Sequence, residues 1–170
     1  WSVARIRKAQ KYAKENNYNG FVANQMLWNI GVYNMGKLED STLVSFDKEM
    51  YKLHQEFNLT AVPYTSQAGG FFTKLNSNLE KDKKKIEDST YNTENNLRVY
   101  KKLRDLAGDL GMNITEIVLS YLISQDIPTI PVVGCSSIKQ LEESLKAADK
   151  KIPEDILKQL ETISGSGIVH

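Results

Sequence analysis

Gly134, Ser136 and Ser137 stand between a β-branched run and an amphipathic run, in the order that a phosphate-binding turn needs. Gly134 lets the backbone turn sharply where a side chain would obstruct. Ser136 or Ser137 can cap the helix that follows. A helix N-terminus fed by such a turn presents free N–H groups and a partial positive charge, and together these hold phosphate. The same strand–glycine–serine–helix order also serves as a plain βα connection that binds nothing. Gln25 lies near the carboxyl end of the run FVANQM. At the carboxyl end of a parallel strand its side chain would face an active site, and its amide offers both a donor and an acceptor; on the surface it would do neither. Tyr64 ends LTAVPY and precedes Thr65-Ser66-Gln67-Ala68-Gly69-Gly70-Phe71-Phe72. That order places an aromatic ring beside a flexible loop, or it is a glycine loop with exposed aromatics. His54 has no His, Cys or carboxylate at metal-ligand spacing, so packing or solvation is expected and no metal.

These groups need elements to hold them. Ser2 to Asn16 reads as a helix with Val3, Ile6, Ala9 and Ala13 as its apolar stripe. Phe21–Met26 is a short strand, and Leu27–Lys37 a loop. Asp40 or Ser41 caps a helix whose stripe is Leu43, Phe46, Met50, Leu53 and Phe57, with His54 beside it and Asn58 ending it in left-handed geometry. Leu59–Tyr64 is the second strand, and Pro63 requires it to end there or bulge. The charge-dense run from Asn76 to Asn92, with lysines at 81, 83, 84 and 85, reads as a mobile surface loop that is either solvated or a lid. Thr93 caps a helix stopped by Gly111, and a further helix runs from about Thr115 to the exit at Pro128. Ile130, Val132 and Val133 suit a strand buried on both faces. Ile138, Leu141, Leu145 and Ala148 lie on one face of the helix after it. Pro153 opens the last helix, with Ile156, Leu157, Leu160 and Ile163, and residues 164–170 form a flexible tail.

The chain has 170 residues, 41% hydrophobic and 25% charged, which is ordinary for one globular domain. Its formal net charge of +1 argues against nucleic acid or an acidic surface as partner. Cys135 is alone, so no intrachain disulfide forms and a reducing, cytoplasmic compartment is expected. No apolar run approaches the roughly 20 residues of a membrane helix. The chain begins at Trp1 with a helix and no strand before it, so a strand is expected upstream.

Three runs together carry a family resemblance. IPVVGCSSIKQLEESLKAAD resembles the nucleotide-clamping IPG-x-SSxEQLxENLxAAD of the aldo-keto reductases, with Gly134, Ser136, Ser137, Gln140 and Glu143 matching and Ser144 where Asn is usual. YTSQAGGFFTK resembles AYSPLxxGxLTGK, with Ser66 for Pro and Gln67 for Leu. GMNITEIVLSYLISQDIPTIPVVG resembles GxSxAQLALAWLLxQxxxTIPIPG. The resemblance implies a fold, α/β with parallel strands alternating with helices. It covers nearly the whole chain as the C-terminal half of a (β/α)8 TIM barrel. It implies that Gln25 binds the nicotinamide carboxamide and Tyr64 stacks on that ring. Thr65 and Gln67 would wrap the pyrophosphate, Gly134, Ser136 and Ser137 would hold the adenosine phosphate, and Gln140, Glu143 and Ser144 would grip the adenine end.

By the same resemblance the cofactor is NADP, with NAD possible, and the substrate is a small-molecule carbonyl, an aldehyde or ketone. The family's proton-donating Tyr, with its Lys, Asp and His, lies on early strands, and no motif here matches it. No catalytic residue is therefore expected, and the chain alone should not reduce carbonyls. A bare half would expose strand edges and an apolar layer, so the missing N-terminal barrel half or a second copy is expected as partner. The alternative is a non-enzymatic nucleotide-binding sensor or subunit.

Overall fold

A computed structural model describes residues 1–37, 40, 42–77 and 79–165. Its first element is α1 (Val3–Glu15), capped by the Ser2 hydroxyl as its sequence suggests. Next come β1 (Ala23–Met26), α2 (Lys48–Phe57) and β2 (Thr60–Pro63). The strands pair in parallel, Gln25 opposite Val62 and Met26 opposite Pro63. Pro63 is the last residue of its strand, where a missing N–H does least harm. Both strands are shorter than expected: Phe21, Val22 and Leu59 stay outside them, with Phe21 and Val22 exposed.

The cap of α2 is Asp47, whose carboxylate accepts from the Met50 N–H at 2.8 Å, and not Asp40 or Ser41. Ser41 lies outside the described residues. Asp40 instead accepts from the Thr42 N–H and hydroxyl, which hold its carboxyl below the usual carboxylate range. Leu43 thus precedes the helix. Leu27 is bridged in parallel to Ser45, its N–H donating to Val44 O and its carbonyl accepting from the Phe46 N–H, and Phe46 packs by stacking on Trp28 at 4.1 Å. Asn58 ends α2 at φ 50, as Asn can.

The segment after β2 departs most from expectation. Phe71 and Phe72 are buried in α3 (Phe71–Ser77), each 1% exposed, because the helix turns both rings onto the core rather than outward. The charge-dense run continues as a 3-10 turn, Glu80–Asp82, and α4 (Lys83–Glu87). Residues 80–87 are thus helical and not a loop, with Lys83–Glu80 and Lys85–Asp82 pairs at i,i+3 spacing, while residue 78 lies outside the described residues.

α5 (Glu94–Leu110) is capped by Thr93 and ended by Gly111 at φ 60. α6 (Ile114–Ile123) starts on an Asn113–Glu116 capping box and is buried on nearly every side, which makes it the central helix of the core. α5 packs on α6 and on α8 (Glu154–Ser164), which begins after Pro153. Leu53, Leu103, Ile117, Leu122 and Leu160 are wholly enclosed in one continuous core. Truncating any of them to Ala would cost about 2–5 kcal/mol. No single helix among the described residues is long and apolar enough to cross a membrane.

Residues 128–132 run parallel to β2 on its far side. The Ala61 N–H donates to Pro128 O at 2.8 Å, Ile130 N–H to Ala61 O at 2.8 Å, and Val132 N–H to Pro63 O at 2.9 Å. The run is bridged at Thr129 but is no strand buried on two faces. Ile130 is 63% exposed and Val132 42%, because among the described residues nothing pairs with its outer edge. α7 (Ile138–Leu145) shows the same thing. Its apolar residues Ile138, Leu141 and Leu145 are 77%, 46% and 60% exposed, and Ala148 is exposed as well. The described sheet therefore has two parallel strands and a third extended run, and a half-barrel is more than these residues define. Ser164 is the buried end of α8 rather than tail, and 166–170 lie outside the described residues.

Candidate functional site

A cavity of about 970 Å³ opens where β2, α3, α4 and α7 approach one another. Small-molecule sites commonly fall near that size. Tyr64, Thr65 and Gln67 line it from the carboxyl end of β2. Gly134, Ser136, Gln140, Glu143 and Ser144 line it from the α7 side. Residues some 70 positions apart in the chain thus meet across one opening, because 128–132 lies against β2 and delivers the turn beside Tyr64. Ser66 ties the two sides, its buried hydroxyl donating to Val132 O at 2.6 Å.

Tyr64 brings a ring to the cavity, and its hydroxyl is buried without a hydrogen-bond partner among the described residues. Burial, with lesser help from Tyr33 and Asp40, raises its pKa above the ordinary phenol value. An orphaned buried hydroxyl is costly, about 1–3 kcal/mol, unless something completes it. Thr65 is held from behind. Asn29, 5% exposed, donates to Thr65 O at 3.0 Å and to the Tyr91 hydroxyl at 2.8 Å, and its own carbonyl accepts from the Gly31 N–H. Burial raises the Tyr91 pKa, although bonds with Thr65 and Asn29 work the other way.

After Thr65 the backbone turns left-handed for three residues, Ala68 at φ 52, Gly69 at φ 61 and Gly70 at φ 76. No heavy atom would meet a side chain at Gly69 or at Gly134, so both backbones face open space. Lys74 reaches back over this loop and donates to Gly69 O at 2.6 Å.

On the α7 side Ser137, not Ser136, is the cap, accepting from the Gln140 N–H at 3.3 Å. Ser137 does not line the cavity. Gln140 folds back so that its Oε1 accepts from both the Ser136 N–H, at 2.8 Å, and the Ser136 hydroxyl, at 2.9 Å. The helix start is thereby partly satisfied by its own side chain, which a phosphate would have to displace. Ser144 is engaged too: its hydroxyl donates to Gln140 O and accepts from Gln67 Nε2 at 3.0 Å. Glu143 stands 4.0 Å from Lys139. Gln25 is exposed on β1 and does not line the cavity, whereas eight of the other nine residues do.

Some residues that support or line the cavity carry no signal that points to a site. Asn29 and Tyr91 meet only through the fold. Lys81 and Lys85 could have been found, since i,i+4 spacing puts them on one side of a helix, but in a charge-dense run that spacing reads as a solvated face. His54 is fully buried away from the cavity. Its Nδ1 faces Leu59 O at 3.0 Å, which fixes the proton there, and Nε2 accepts from Asn24 Nδ2 at 3.3 Å. Among the described residues no cluster of His, Cys, Asp and Glu could hold a metal ion.

A sequence model of the "Aldo/keto reductase family" matches residues 1–164. The chain is 24% identical to "Uncharacterized oxidoreductase YrpG" of Bacillus subtilis over 158 residues, which is 92% of this chain and 44% of that protein. It is 20% identical to "Norsolorinic acid reductase B" of Dothistroma septosporum over 162 residues, 92% of this chain and 37% of that one. The chain spans less than half the length of either curated relative.

Proposed function

The chain belongs to the aldo/keto reductase family, and we propose that it is the cofactor-binding half of an NAD(P)H-dependent reductase of aldehydes or ketones. The observation that supports this most is the convergence of Tyr64, Thr65, Gln67, Gly134, Ser136, Gln140, Glu143 and Ser144 on one cavity. The donor set suits a dinucleotide. Tyr64 offers a ring and an unpartnered hydroxyl, Gly69 and Gly134 leave backbone open, and Thr65 is fixed by Asn29. When bound, a reduced nicotinamide supplies the hydride for carbonyl reduction.

This chain's part is to hold and orient. In this reading Tyr64 packs the nicotinamide, the Thr65–Gly70 loop and Ser136 take the phosphates, and Gln140 and Glu143 grip the adenine end. Gln25 joins only if the nicotinamide extends past the cavity toward β1, and Ser137 acts by capping α7. The proton donor lies outside this chain. A second barrel half covers the outer edge of 128–132 and the apolar face of α7, burying Ile130, Ile138, Leu141 and Leu145.

The test is a titration of the chain with NADPH and NADH, followed by nucleotide emission, beside an assay for carbonyl-dependent NADPH consumption. Saturable binding that Tyr64→Ala weakens, without turnover, is the expected result. A chain folded by circular dichroism that binds neither nucleotide would end this reading. Turnover by this chain alone would place the acid within it.

A further inference from the structure

Asn19 and Gly20 form the only Asn-Gly pair in the chain, between α1 and β1. Both are exposed, and among the described residues neither takes part in a backbone hydrogen bond. Glycine leaves its own backbone nitrogen unshielded by a side chain. The Gly20 nitrogen is therefore open to the side-chain carbonyl carbon of the residue before it.

The fold requires this glycine. Gln10, on α1, clamps Phe21 twice: Gln10 Nε2 donates to Phe21 O at 2.9 Å, and the Phe21 N–H donates to Gln10 Oε1 at 2.7 Å. A Cβ at position 20 would meet that same Oε1 at 2.3 Å. Gln10 could step aside only by giving up both bonds. The next residue, Val22, accepts from the Thr60 N–H at 3.0 Å, so the clamp sits where the chain enters the sheet. The clamp demands glycine, and glycine leaves Asn19 labile. Other asparagines differ. Asn76 precedes the small Ser77, but both lie in α3 and are held in helical geometry. Asn58 and Asn113 precede the branched Leu59 and Ile114. Asn29 and Asn96 are buried with their amides engaged.

We propose that Asn19 is a site of spontaneous conversion to aspartate and isoaspartate, and that the isoaspartyl product opens the Gln10–Phe21 clamp. The Gly20 nitrogen gives its proton to water or hydroxide and attacks Cγ of Asn19. The N–Cγ bond forms, the Cγ–Nδ2 bond breaks, and ammonia leaves. Water then opens the succinimide ring at one of two bonds. Cleavage of N–Cγ leaves an ordinary aspartate. Cleavage between N and the main-chain carbonyl carbon routes the chain through Cβ and Cγ, which adds one atom to the backbone. The only co-reactant is water. Either product adds one negative charge and takes the formal net charge from +1 to zero. Only the longer backbone shifts Phe21 against Gln10, and both bonds of the clamp go to that one residue.

The experiment incubates the chain in mildly alkaline buffer, with and without urea. Ion exchange resolves the acidic products, and peptide mass spectrometry with electron-transfer fragmentation locates them and distinguishes the two isomers. Asn19 accounts for most of the acid formed in the folded chain, at a rate that rises with pH. That rate stays within about threefold of the urea-unfolded rate, because no opening step precedes the attack. In Asn19→Gln the fast acidic product disappears and the circular dichroism is unchanged. Asn19→Asp adds charge alone and keeps the parent's urea midpoint, while the purified isoaspartyl form falls below it. Acid appearing first at Asn76 or elsewhere, or a folded-state rate more than about tenfold below the unfolded one, would overturn the site. Equal midpoints for the isoaspartyl form and Asn19→Asp would overturn the opening of the clamp.

Discussion

Gln67 Nε2 donates to Ser144 Oγ at 3.0 Å, joining the loop after β2 to α7 across the cavity. Both residues are departures from the sequence pattern that the chain otherwise resembles, Gln for Leu and Ser for Asn. They are partners, and their joint presence has a physical reason. A Leu at 67 would leave Ser144 with its bond to Gln140 O and a 3.9 Å contact with Cys135 Sγ, and the longer Asn at 144 would crowd the space Gln67 fills.

The bridge should appear as coupling. Gln67→Ala and Ser144→Ala are each expected to lower unfolding stability, and the double variant to lose less than the sum. A double-mutant cycle in urea should give an interaction of about 0.5–1.5 kcal/mol, the net worth of one hydrogen bond. Strict additivity would mean that the contact carries no energy.

Tyr64→Phe removes a buried hydroxyl that has no partner. Stability should stay the same or rise slightly, since nothing is left unpaired. Nucleotide affinity should survive in Tyr64→Phe and fall in Tyr64→Ala, because stacking needs the ring. Loss of binding in the Phe variant would show instead that the hydroxyl is completed by the ligand. Fluorescence titration separates the two.

Asn29 supports Thr65 from behind, so Asn29→Ala should leave the Tyr91 hydroxyl and Thr65 O short of a donor in a buried place. The expected loss is about 1–3 kcal/mol of stability. Tyr91→Phe removes a single partner and should cost less. Chemical denaturation of the two variants tests the order.

His54 is buried neutral, and its pKa is lowered from 6.5 chiefly by burial, the bond to Leu59 O acting against it. The unfolded chain therefore takes up this proton at higher pH than the folded one. The contribution to stability is complete above pH 6.5 and is lost as pH falls from there through the lowered folded value. Melting temperature should decline across that window in the parent and decline less in His54→Gln. Equal slopes would show that other groups govern the acid limb.

The apolar face of α7 should govern association. Leu141→Lys with Leu145→Lys is expected to raise the monomer fraction in sedimentation velocity without loss of helix content, since both side chains are exposed in the single chain. No change in sedimentation would mean that this face is inert in solution.

What the sequence disclosed was local. Ser2, Thr93, Gly111 and Asn58 act at helix ends as their chemistry dictates, because capping is decided within a turn. The meeting of Tyr64 with Gly134 and Gln140 was legible only through the three motif runs, since no local rule joins residues so far apart. What was not legible depended on tertiary context. Phe71 and Phe72 look like loop aromatics until α3 turns them inward. Ile130 and Ile138 have the pattern of buried residues, but burial requires a neighbour, and periodicity names the face without supplying what covers it. Gln25 has the residue type the resemblance asks for, yet it is exposed and does not line the cavity.

Three consecutive residues, Ala68 to Gly70, hold positive φ, and the first of them is not glycine. A left-handed Ala costs roughly 1 kcal/mol, so the fold imposes this loop shape against local preference. Turn bonds from the Ala68 N–H to Thr65 O and from the Gly70 N–H to Gln67 O hold this shape before any ligand arrives. Its ordering entropy is spent when the chain folds and is not subtracted again on association. Ala68→Gly would relax the strain, but it would return that freedom to the loop, so a gain in stability and a weaker grip are two faces of the same substitution.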